Sequence, residues 1–383
     1  MKIAIICSNA VSINKNSKRG TEIFDYMLIN NLVNAVGKDV SITAFASEDS
    51  DLPVETQSVD KISSSQDKSI LKKGKHIIFE LALISKAFLM QDKFDLYHVN
   101  IGDGDIILPF APFVKKPILI TLHYTQDADY INRYFSLFSN LKNVHFVSIS
   151  NAQRKFFPEL NYTGTIHHGV DTDQFTFSQS GGEKMMWAGR GVPDKGLKTV
   201  FEIVNRLGRE VRLFPLRKDE YTHWLNKLIS EQKDLISSKK VSLEFDKDRE
   251  DLVADYQTSK LFLFPIQWEE PFGLVLLESL ACGTPIVAFA RGSVPEVIKD
   301  GETGFIINPT DNDIRGNWIV KKTGIDGLCE AIEKIYSMSE NEYQKMRLNC
   351  RILAEESFSA GRMAQEYLSI YKKLVLSLTL ADM

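Results

Sequence analysis

The chain has 383 residues, of which 44% are hydrophobic and 25% charged, and its formal net charge is -4. Its length exceeds the roughly 250 residues at which single hydrophobic cores stop growing, so we expect two domains of ordinary globular composition. The slight acidity argues against nucleic acid as a partner.

The cysteines show neither the spacing of a zinc site nor that of a disulfide framework. They are Cys7, Cys282, Cys329 and Cys350. Reduced thiols are therefore expected, as in a cytoplasm. The apolar start of the chain is too short for a signal-peptide core, because Ser8 and Asn9 interrupt it, and no run reaches the length of a transmembrane helix.

Short β-rich apolar runs alternate with helical patterns along the chain, which is typical of parallel sheets built from βαβ units. The first half contains the predicted strands KIAIICS, VSITAFAS, DLYHVN, PILITLHY and VHFVSIS. The second half contains KMMWAGR, EVRLFPL, VSLEFD, KLFLFPI, PIVAFA and TGFIIN. Two doubly wound α/β domains are predicted.

One segment of the first half, residues 69–94, is apolar with lysines at both ends. A helix that lies on a membrane surface shows this pattern, and so does a helix packed on the first sheet. Core packing is the favoured interpretation, with Glu80 at the edge of the helix.

A stretch rich in serine, glycine and aspartate, residues 171–184, marks the predicted domain boundary. We predict an N-terminal domain over 1–172, a linker over 173–183 and a C-terminal domain over 184–357. Apolar residues that recur at three and four positions predict closing helices in GIDGLCEAIEKIYSM, ENEYQKMRLNCRILAEESF and AGRMAQEYLSIYKKLVLSL. The last helix, within 358–383, is expected to cross back to the N-terminal domain.

The stretch WEEPFGLVLLESLACGTP contains two glutamates eight positions apart, Glu270 and Glu278. Its helix is predicted to begin at Phe272 and Gly273 and to end at Gly283. Ligands of open α/β sheets bind outside the carboxyl ends of strands, and free amides at a helix start attract anions. The amides predicted to hold a diphosphate are those of Phe272, Gly273, Leu274 and Val275.

Glu278 lies on a helix that is apolar on nearly every side, so its carboxylate needs partners. Ribose hydroxyls would serve, because they donate hydrogen bonds to an acceptor-only group, and the hydroxyls of a sugar would serve Glu270 in the same way. A lysine partner, or an exposed helix edge, is the alternative for Glu278.

The run EEPFGLVLLESLACGTPIVAFARGSVPEVIKDGETGF resembles the donor-binding signature of family 4 glycosyltransferases. That family is retaining and has the GT-B fold, α/β with two facing Rossmann-like doubly wound domains and a cleft between them. Glu270 and Glu278 would be its E-x7-E pair. WAGRGVPDKG resembles a loop of the family in which Arg190 and Lys195 would neutralise the donor diphosphate. TLHYTQD puts His123 where the family has a histidine facing the donor sugar.

Two weaker motifs extend the resemblance. RGTEIF is similar to the glycine-rich loop after the first strand, so Gly20 would approach the diphosphate, and HHGVD is similar to a run before the linker. Arg19 stands where the family often has a glycine, which would favour an anionic acceptor. LFPLRKDEY and EFDKDRED lack the glycines that the family usually has after the second and third strands of the donor domain. The way in which the family recognises the nucleotide base can therefore not be assigned to these loops.

An Asp-x-Asp pair, Asp103 and Asp105, occurs in the run GDGD. Such a pair holds a divalent cation in the other main glycosyltransferase fold. That fold has a single nucleotide domain, and the glycines here suit a turn, so we expect a loop and no metal site.

The resemblance implies a cytoplasmic retaining hexosyltransferase of glycan or glycoconjugate biosynthesis that needs no cofactor or metal. Its donor would be a nucleotide-diphosphate sugar, with UDP favoured over GDP, and its acceptor a hydroxyl of a sugar, glycan or lipid-linked molecule. Arg190, Lys195 and the helix start would stabilise the leaving diphosphate. A nucleotide-sugar epimerase of the same fold and a non-catalytic sugar-nucleotide-binding protein are the alternatives. Peripheral contact with the inner membrane face is not favoured.

Overall fold

The computed structural model describes residues 1–37, 39–102, 104–124 and 129–381. The chain divides into two compact units. The first contains Met1–Gly169 together with Ala360–Met383, and the second contains Val170–Ser359. The division falls just before the predicted end of the N-terminal domain, and the last predicted helix belongs to the first unit.

The first unit is built on a seven-stranded parallel sheet of order β3-β2-β1-β4-β5-β6-β7. Its strands are β1 (Lys2–Ile6), β2 (Ser41–Phe45), β3 (Glu55–Gln57), β4 (Leu96–Val99), β5 (Ile118–Thr121), β6 (Val144–Ser148) and β7 (Tyr162–Thr165). Its first helices are α1 (Gly20–Ala35), α2 (Lys68–Lys72), α3 (His76–Leu89) and α4 (Asp129–Ser136). The central strands β4 and β5 are buried along their whole length, because helices cover both faces of a parallel sheet.

The second unit is built on a six-stranded parallel sheet of order β10-β9-β8-β11-β12-β13. Its strands are β8 (Lys184–Arg190), β9 (Val211–Leu216), β10 (Val241–Leu243), β11 (Ser259–Phe264), β12 (Ile286–Phe289) and β13 (Gly304–Ile307). Its helices are α5 (Leu197–Leu207), α6 (Thr222–Glu231), α7 (Lys233–Ser237), α8 (Leu252–Gln257), α9 (Leu274–Ala281), α10 (Val294–Val297), α11 (Gly324–Tyr336) and α12 (Glu340–Phe358).

The strand order of each sheet reverses beside its first strand, since β1 lies between β2 and β4, and β8 lies between β9 and β11. Ligands of open parallel sheets bind at such reversal points, outside the carboxyl ends of the strands. The end of β8 and the loop after it contain Arg190 and Lys195, and the loop after β11 contains Glu270. The fold therefore brings these loops to one edge of the second sheet.

The last helix of the chain, α13 (Ala360–Ala381), packs against α1 in the first unit. Its Tyr371 hydroxyl lies 2.7 Å from His98 Nδ1, and its Tyr367 hydroxyl lies 3.0 Å from Thr121 Oγ1. His98 Nε2 lies 2.7 Å from the same threonine hydroxyl. Because His98 is in β4 and Thr121 ends β5, this buried network joins the helix to the middle of the sheet.

The apolar segment 69–94 is not one helix, because Gly74, with φ +62°, separates α2 from α3. The prediction of core packing is correct for the second half of the segment, where Leu83 and Ile84 are buried, and wrong for residues 71–78, which are exposed. Glu80 does not lie at a helix edge as predicted. It is buried, because its carboxylate accepts hydrogen bonds from the loop after β1.

Across the described residues, none of the helices has both the length and the apolar character needed to span a bilayer. All four cysteines are free thiols.

Candidate functional site

The loop after β8 contains the two cations that the sequence singles out. Arg190 is the last residue of the strand and is exposed, and its side chain makes no hydrogen bond or ion pair with another described residue. Lys195 ends a short helical turn that is followed by Gly196, with φ +75°. A Cβ at Gly196 would lie 2.0 Å from the Pro265 carbonyl oxygen, so only glycine fits there. The loop is thereby held against the end of β11.

Lys195 and Glu270 form an ion pair, Nζ to Oε2. Their side chains are only 12% and 8% exposed, respectively. Trp268 Nε1 donates a second hydrogen bond to the same carboxylate oxygen at 3.0 Å, and the lysine Nζ lies 4.9 Å from the centroid of that indole. A residue predicted to contact the diphosphate and one predicted to contact the sugar are therefore direct neighbours.

The loop after β12 holds the backbone of Glu270 in place. The Ser293 amide donates to the Glu270 carbonyl oxygen at 2.9 Å. Gly292 has φ +55°, and a Cβ there would lie 2.1 Å from that same oxygen. The adjacent Glu269 accepts a hydrogen bond from the Gly292 amide at 2.7 Å and pairs with Arg315 at 2.6 Å. Glu270 is thus positioned by backbone contacts that leave little room for adjustment.

Helix α9 begins at Leu274, later than the predicted start at Phe272 and Gly273. The difference arises because Gly273 has extended geometry, φ -90° and ψ 97°, and serves as the N-cap. The first amides of any helix lack intrahelical acceptors. Those of Gly273, Leu274 and Val275 donate no hydrogen bond to another described residue. Phe272 is buried, with its ring 6.2 Å from that of Phe358.

Glu278 is buried on α9 with two protein partners. Arg249 Nε lies 2.5 Å from its Oε1, and the Tyr256 hydroxyl donates to its Oε2 at 3.0 Å. Among the described residues the cation partner of Glu278 is an arginine, not the lysine that the sequence offered as an alternative, and Glu278 does not lie on an exposed edge. Burial, together with the charge of Glu278, raises the pKa of Tyr256 well above its usual range, so this phenol keeps its proton and remains a donor.

Sequence reasoning missed Arg249. It lies in the polar run EFDKDRED, where no apolar period marks it, and it precedes α8. Its guanidinium carbon lies 4.7 Å from the ring centroid of Phe175, and its Nη2 is buried without a hydrogen-bond partner among the described residues. The pairing of Arg249 with Glu278 could not be predicted from the sequence, because the two residues lie in separate segments that meet only in the folded chain.

The first unit contains the other two predicted site residues. His123 follows β5 and is buried, with its ring 4.9 Å from Phe24 and stacked at 5.8 Å on His168, which comes from the HHGVD run. Burial lowers the pKa of His123 to about 3, so its imidazole is neutral near pH 7. Gly20 begins α1, and a Cβ there would meet no atom within 4 Å. The preceding Arg19 is exposed.

The Asp-x-Asp pair is described only in part, because Asp103 lies outside the described residues. Asp105 begins a short turn, and Gly102 and Gly104 before it have φ +55° and +70°, as a tight turn requires. In the part of the chain that the structure describes, no three histidine, cysteine, aspartate or glutamate side chains are grouped so as to hold a metal ion.

Comparison with known proteins gives consistent results. Residues 172–319 match the family described as glycosyl transferases group 1. The chain is 31% identical over 155 residues to spore coat protein SA of Bacillus subtilis (strain 168), which covers 40% of this chain and 36% of that protein. It is 41% identical over 81 residues to a D-inositol 3-phosphate glycosyltransferase of Mycobacterium sp. (strain KMS), over 21% of this chain and 18% of that protein. The chain thus aligns with well under two thirds of the length of these relatives.

Solved structures are similar over nearly the whole chain. Sucrose-phosphate synthase from Thermosynechococcus elongatus has a TM-score of 0.72 at 17% identity, covering 98% of this chain and 99% of that one. Alr3699/HepE of Anabaena in complex with UDP has a TM-score of 0.69 at 16% identity, covering 100% of both chains. At such identities the likeness establishes the fold.

Proposed function

We propose that this chain transfers a hexose from a nucleotide-diphosphate sugar to an acceptor hydroxyl, because its residues 172–319 match the group 1 glycosyl transferases and it has the GT-B fold that its sequence predicts. The observation that carries the proposal is the convergence of Lys195, Glu270 and the start of α9 at the carboxyl edge of the second sheet. UDP is the favoured nucleotide, since the Anabaena neighbour is described with UDP and with UDP-glucose, and GDP is the alternative.

The diphosphate would bind the amides of Gly273, Leu274 and Val275. A helix start offers an anion both free N–H groups and the positive end of the helix dipole. Arg190, exposed and without an ion-pair partner among the described residues, would add a bidentate cation. Negative charge grows on the diphosphate as the glycosidic bond breaks, so these preorganised groups would stabilise the transition state more than the bound donor.

The two glutamates would bind hydroxyl groups of the donor. An ionised carboxylate has about four acceptor positions, and the protein partners of Glu278 use two of them. The ribose hydroxyls would use the others. Glu270 would accept hydrogen bonds from the hexose in the same way, oriented by Lys195 and Trp268. His123 would contact the hexose as a neutral imidazole.

We propose retention of the anomeric configuration, without metal or other cofactor. The acceptor oxygen would attack the anomeric carbon on the face that the diphosphate leaves, and a leaving phosphate oxygen would take the acceptor proton. The bond from the anomeric carbon to the diphosphate breaks as the new glycosidic bond forms. Arg190, Lys195 and the helix amides would supply the charge stabilisation that a divalent cation supplies in other phosphate-transfer sites.

Thermal-shift measurements with UDP, GDP, ADP and their hexose conjugates would test the donor, since a ligand of the native state raises Tm according to its affinity and concentration. UDP-glucose is then incubated with and without a panel of sugar and lipid-linked acceptors. Release of UDP that depends on the acceptor is expected. An isomerised sugar formed without acceptor would make the chain an epimerase, and tight binding without turnover on any acceptor would make it a binding protein.

A further inference from the structure

A run of eight consecutive exposed residues, 71–78, joins α2 to α3 in the first unit. Its sequence, LKKGKHII, combines three lysines and a histidine with three large apolar side chains and contains no acidic residue. Leu71, Ile77 and Ile78 are 50%, 39% and 51% exposed. We call residues 71–78 the basic apolar segment. Its apolar side chains flank the cations, because Leu71 precedes the lysines and Ile77 and Ile78 follow them.

Two anchors fix this segment to the first sheet. Ile70 is buried, and Asp67 caps α2 by accepting hydrogen bonds from the amides of Ser69 and Ile70. On the other side, Glu80 accepts hydrogen bonds from Ser8 Oγ at 2.5 Å and from the Ala10 amide at 3.1 Å. The segment is therefore exposed on an ordered base rather than at a loose end.

The anchors also give its location. Ser8 and Ala10 follow β1, so Glu80 joins the beginning of α3 to the carboxyl edge of the first sheet. The basic apolar segment immediately precedes Glu80 and lies at the same edge. This is the edge at which open α/β sheets bind their ligands.

We propose that the basic apolar segment binds the surface of a membrane that contains anionic phospholipids. The headgroups would bind Lys72, Lys73 and Lys75, and the apolar side chains on either side of these lysines would enter the boundary with the acyl chains. The attraction is local, because the chain as a whole has a net charge of -4. An acidic protein would match the lysines but offers no reason for Leu71, Ile77 and Ile78 to remain in water.

Membrane binding at this place would put the carboxyl edge of the first sheet beside the bilayer. A hydroxyl acceptor carried on a lipid would then reach the first unit from the surface on which the chain rests. This last step relies on the proposed transferase function, whereas the binding itself does not, so the two are tested by different measurements.

The test is cosedimentation with sucrose-loaded vesicles, either of phosphatidylcholine alone or of equal parts phosphatidylcholine and phosphatidylglycerol. No donor or acceptor is needed. The wild-type chain should bind the anionic vesicles, weakly at high salt, and should bind the neutral vesicles much less. A surface lysine contributes about fivefold to such binding, so Lys72→Glu with Lys73→Glu should weaken it at least about 25-fold.

The matched control for charge is Lys93→Glu with Lys115→Glu. It replaces two exposed lysines of the same unit and changes the net charge by the same amount as the test variant. These residues lie beyond the other end of α3, where the Lys115 amide donates to the Gln91 side chain. The apolar pair Ile77→Ser with Ile78→Ser should also weaken binding, about tenfold. Its control is Leu89→Ser with Phe113→Ser, which are 85% and 79% exposed in the wild type. Circular dichroism and Tm should be unchanged in all four variants.

Equal losses in test and control variants would overturn the proposal, since total charge or general stickiness would then explain the binding. Failure of the wild-type chain to bind anionic vesicles would also overturn it. A third result would overturn it as well. If the chain binds poly-glutamate but not vesicles, and if Ile77→Ser with Ile78→Ser does not change the binding to poly-glutamate, the partner is an acidic macromolecule.

Discussion

Lys195 and Glu270 neutralise each other at the carboxyl edge of the second sheet, each largely buried and each on a different loop. The pair links the groups proposed for the diphosphate and for the sugar, so a change at either residue also alters the other. Measurements of activity at this site therefore need a parallel measurement of stability.

Lys195→Met should lower the free energy of unfolding by about 3 kcal/mol, because it leaves the Glu270 carboxylate buried without its cation. A second change, Glu270→Leu, should recover most of that loss, since an apolar pair has no charge to compensate. Transferase activity should be lost in Lys195→Met and should not return in the double variant. Urea titrations and initial rates check this. If the double variant is less stable than Lys195→Met, the pair does not act as a unit.

Arg190→Ala should separate catalysis from stability, because its side chain is exposed and makes no ion pair with another described residue. The free energy of unfolding should change by less than about 0.5 kcal/mol. Loss of a charge contact made in the transition state should reduce kcat about 100-fold, with little change in the donor KM. Steady-state kinetics decide the matter. The control is Lys198→Ala, an exposed cation on the nearby α5, which should leave kcat intact. A raised KM with normal kcat in Arg190→Ala would show that the arginine only anchors the donor.

Glu278→Ala should weaken the binding of UDP about tenfold, through the loss of charge-assisted hydrogen bonds to the ribose. Tyr256→Phe is the matched comparison, because it removes one hydrogen bond to the carboxylate but keeps the carboxylate itself. Its UDP affinity should be close to that of the wild type. Calorimetry on folded samples checks both values. Equal affinity in wild type and Glu278→Ala would leave the carboxylate a structural partner of Arg249 and nothing more.

The buried imidazole of His98 should make the first unit sensitive to acid. Burial lowers the pKa of His98 to about 3, against an ordinary value of 6.5. Below pH 6.5 the imidazole is therefore protonated in the unfolded chain but stays neutral in the folded chain. Stability due to this group is thus complete above pH 6.5 and falls as pH decreases toward 3. The cost reaches about 1.4 kcal/mol per pH unit for one group.

His98→Gln should be less stable than the wild type at pH 7, because it disturbs the buried hydrogen bonds of His98 with Thr121 and Tyr371. The difference in Tm should shrink as the pH is lowered to 5, because only the wild type is destabilised by the protonation of His98 in the unfolded chain. Asp25 acts in the opposite direction in both proteins, since burial raises the pKa of its carboxyl and the folded chain retains that proton. Comparing the two proteins cancels its effect. A Tm difference that is constant with pH would mean that His98 does not titrate between the folded and unfolded states.

Activity should survive EDTA, because the proposed site neutralises the diphosphate with Arg190, Lys195 and backbone amides. Rates before and after chelation, measured at equal donor concentration, check this. If chelation abolishes turnover and Mn²⁺ restores it, Asp105 and its partner in the Asp-x-Asp pair become the first candidates for a metal site.

The sequence predicts the sheets well, because buried parallel strands are continuous apolar runs. The fold class is confirmed by the structural neighbours. Two short strands were missed, β3 (Glu55–Gln57) and β7 (Tyr162–Thr165), since edge strands contain polar residues and show no such run. The division of residues 69–94 at Gly74 was missed because the apolar pattern continues across the glycine.

The candidate site is predictable where its residues share one short motif, as Glu270 and Glu278 do. The assignments of these residues to sugar and ribose remain predictions. Contacts between distant segments leave no local pattern, so Arg249 beside Glu278 and Glu270 beside Lys195 emerge only when the sheet is assembled. The late start of α9 depends on the backbone angles of one glycine, which the sequence does not specify.

Helix α13 gives the first unit an unusual place in the order of synthesis. The ribosome delivers the strands of the first unit, then the whole of the second unit, and only then the helix whose tyrosines meet His98 and Thr121. During translation the polar groups and the apolar surface that α13 covers in the first unit therefore stay exposed until the end of synthesis. The second unit is one continuous stretch of chain and can complete its own folding before then. Chaperones that recognise exposed apolar surface should accordingly associate with the early part of this chain for longer than with the middle.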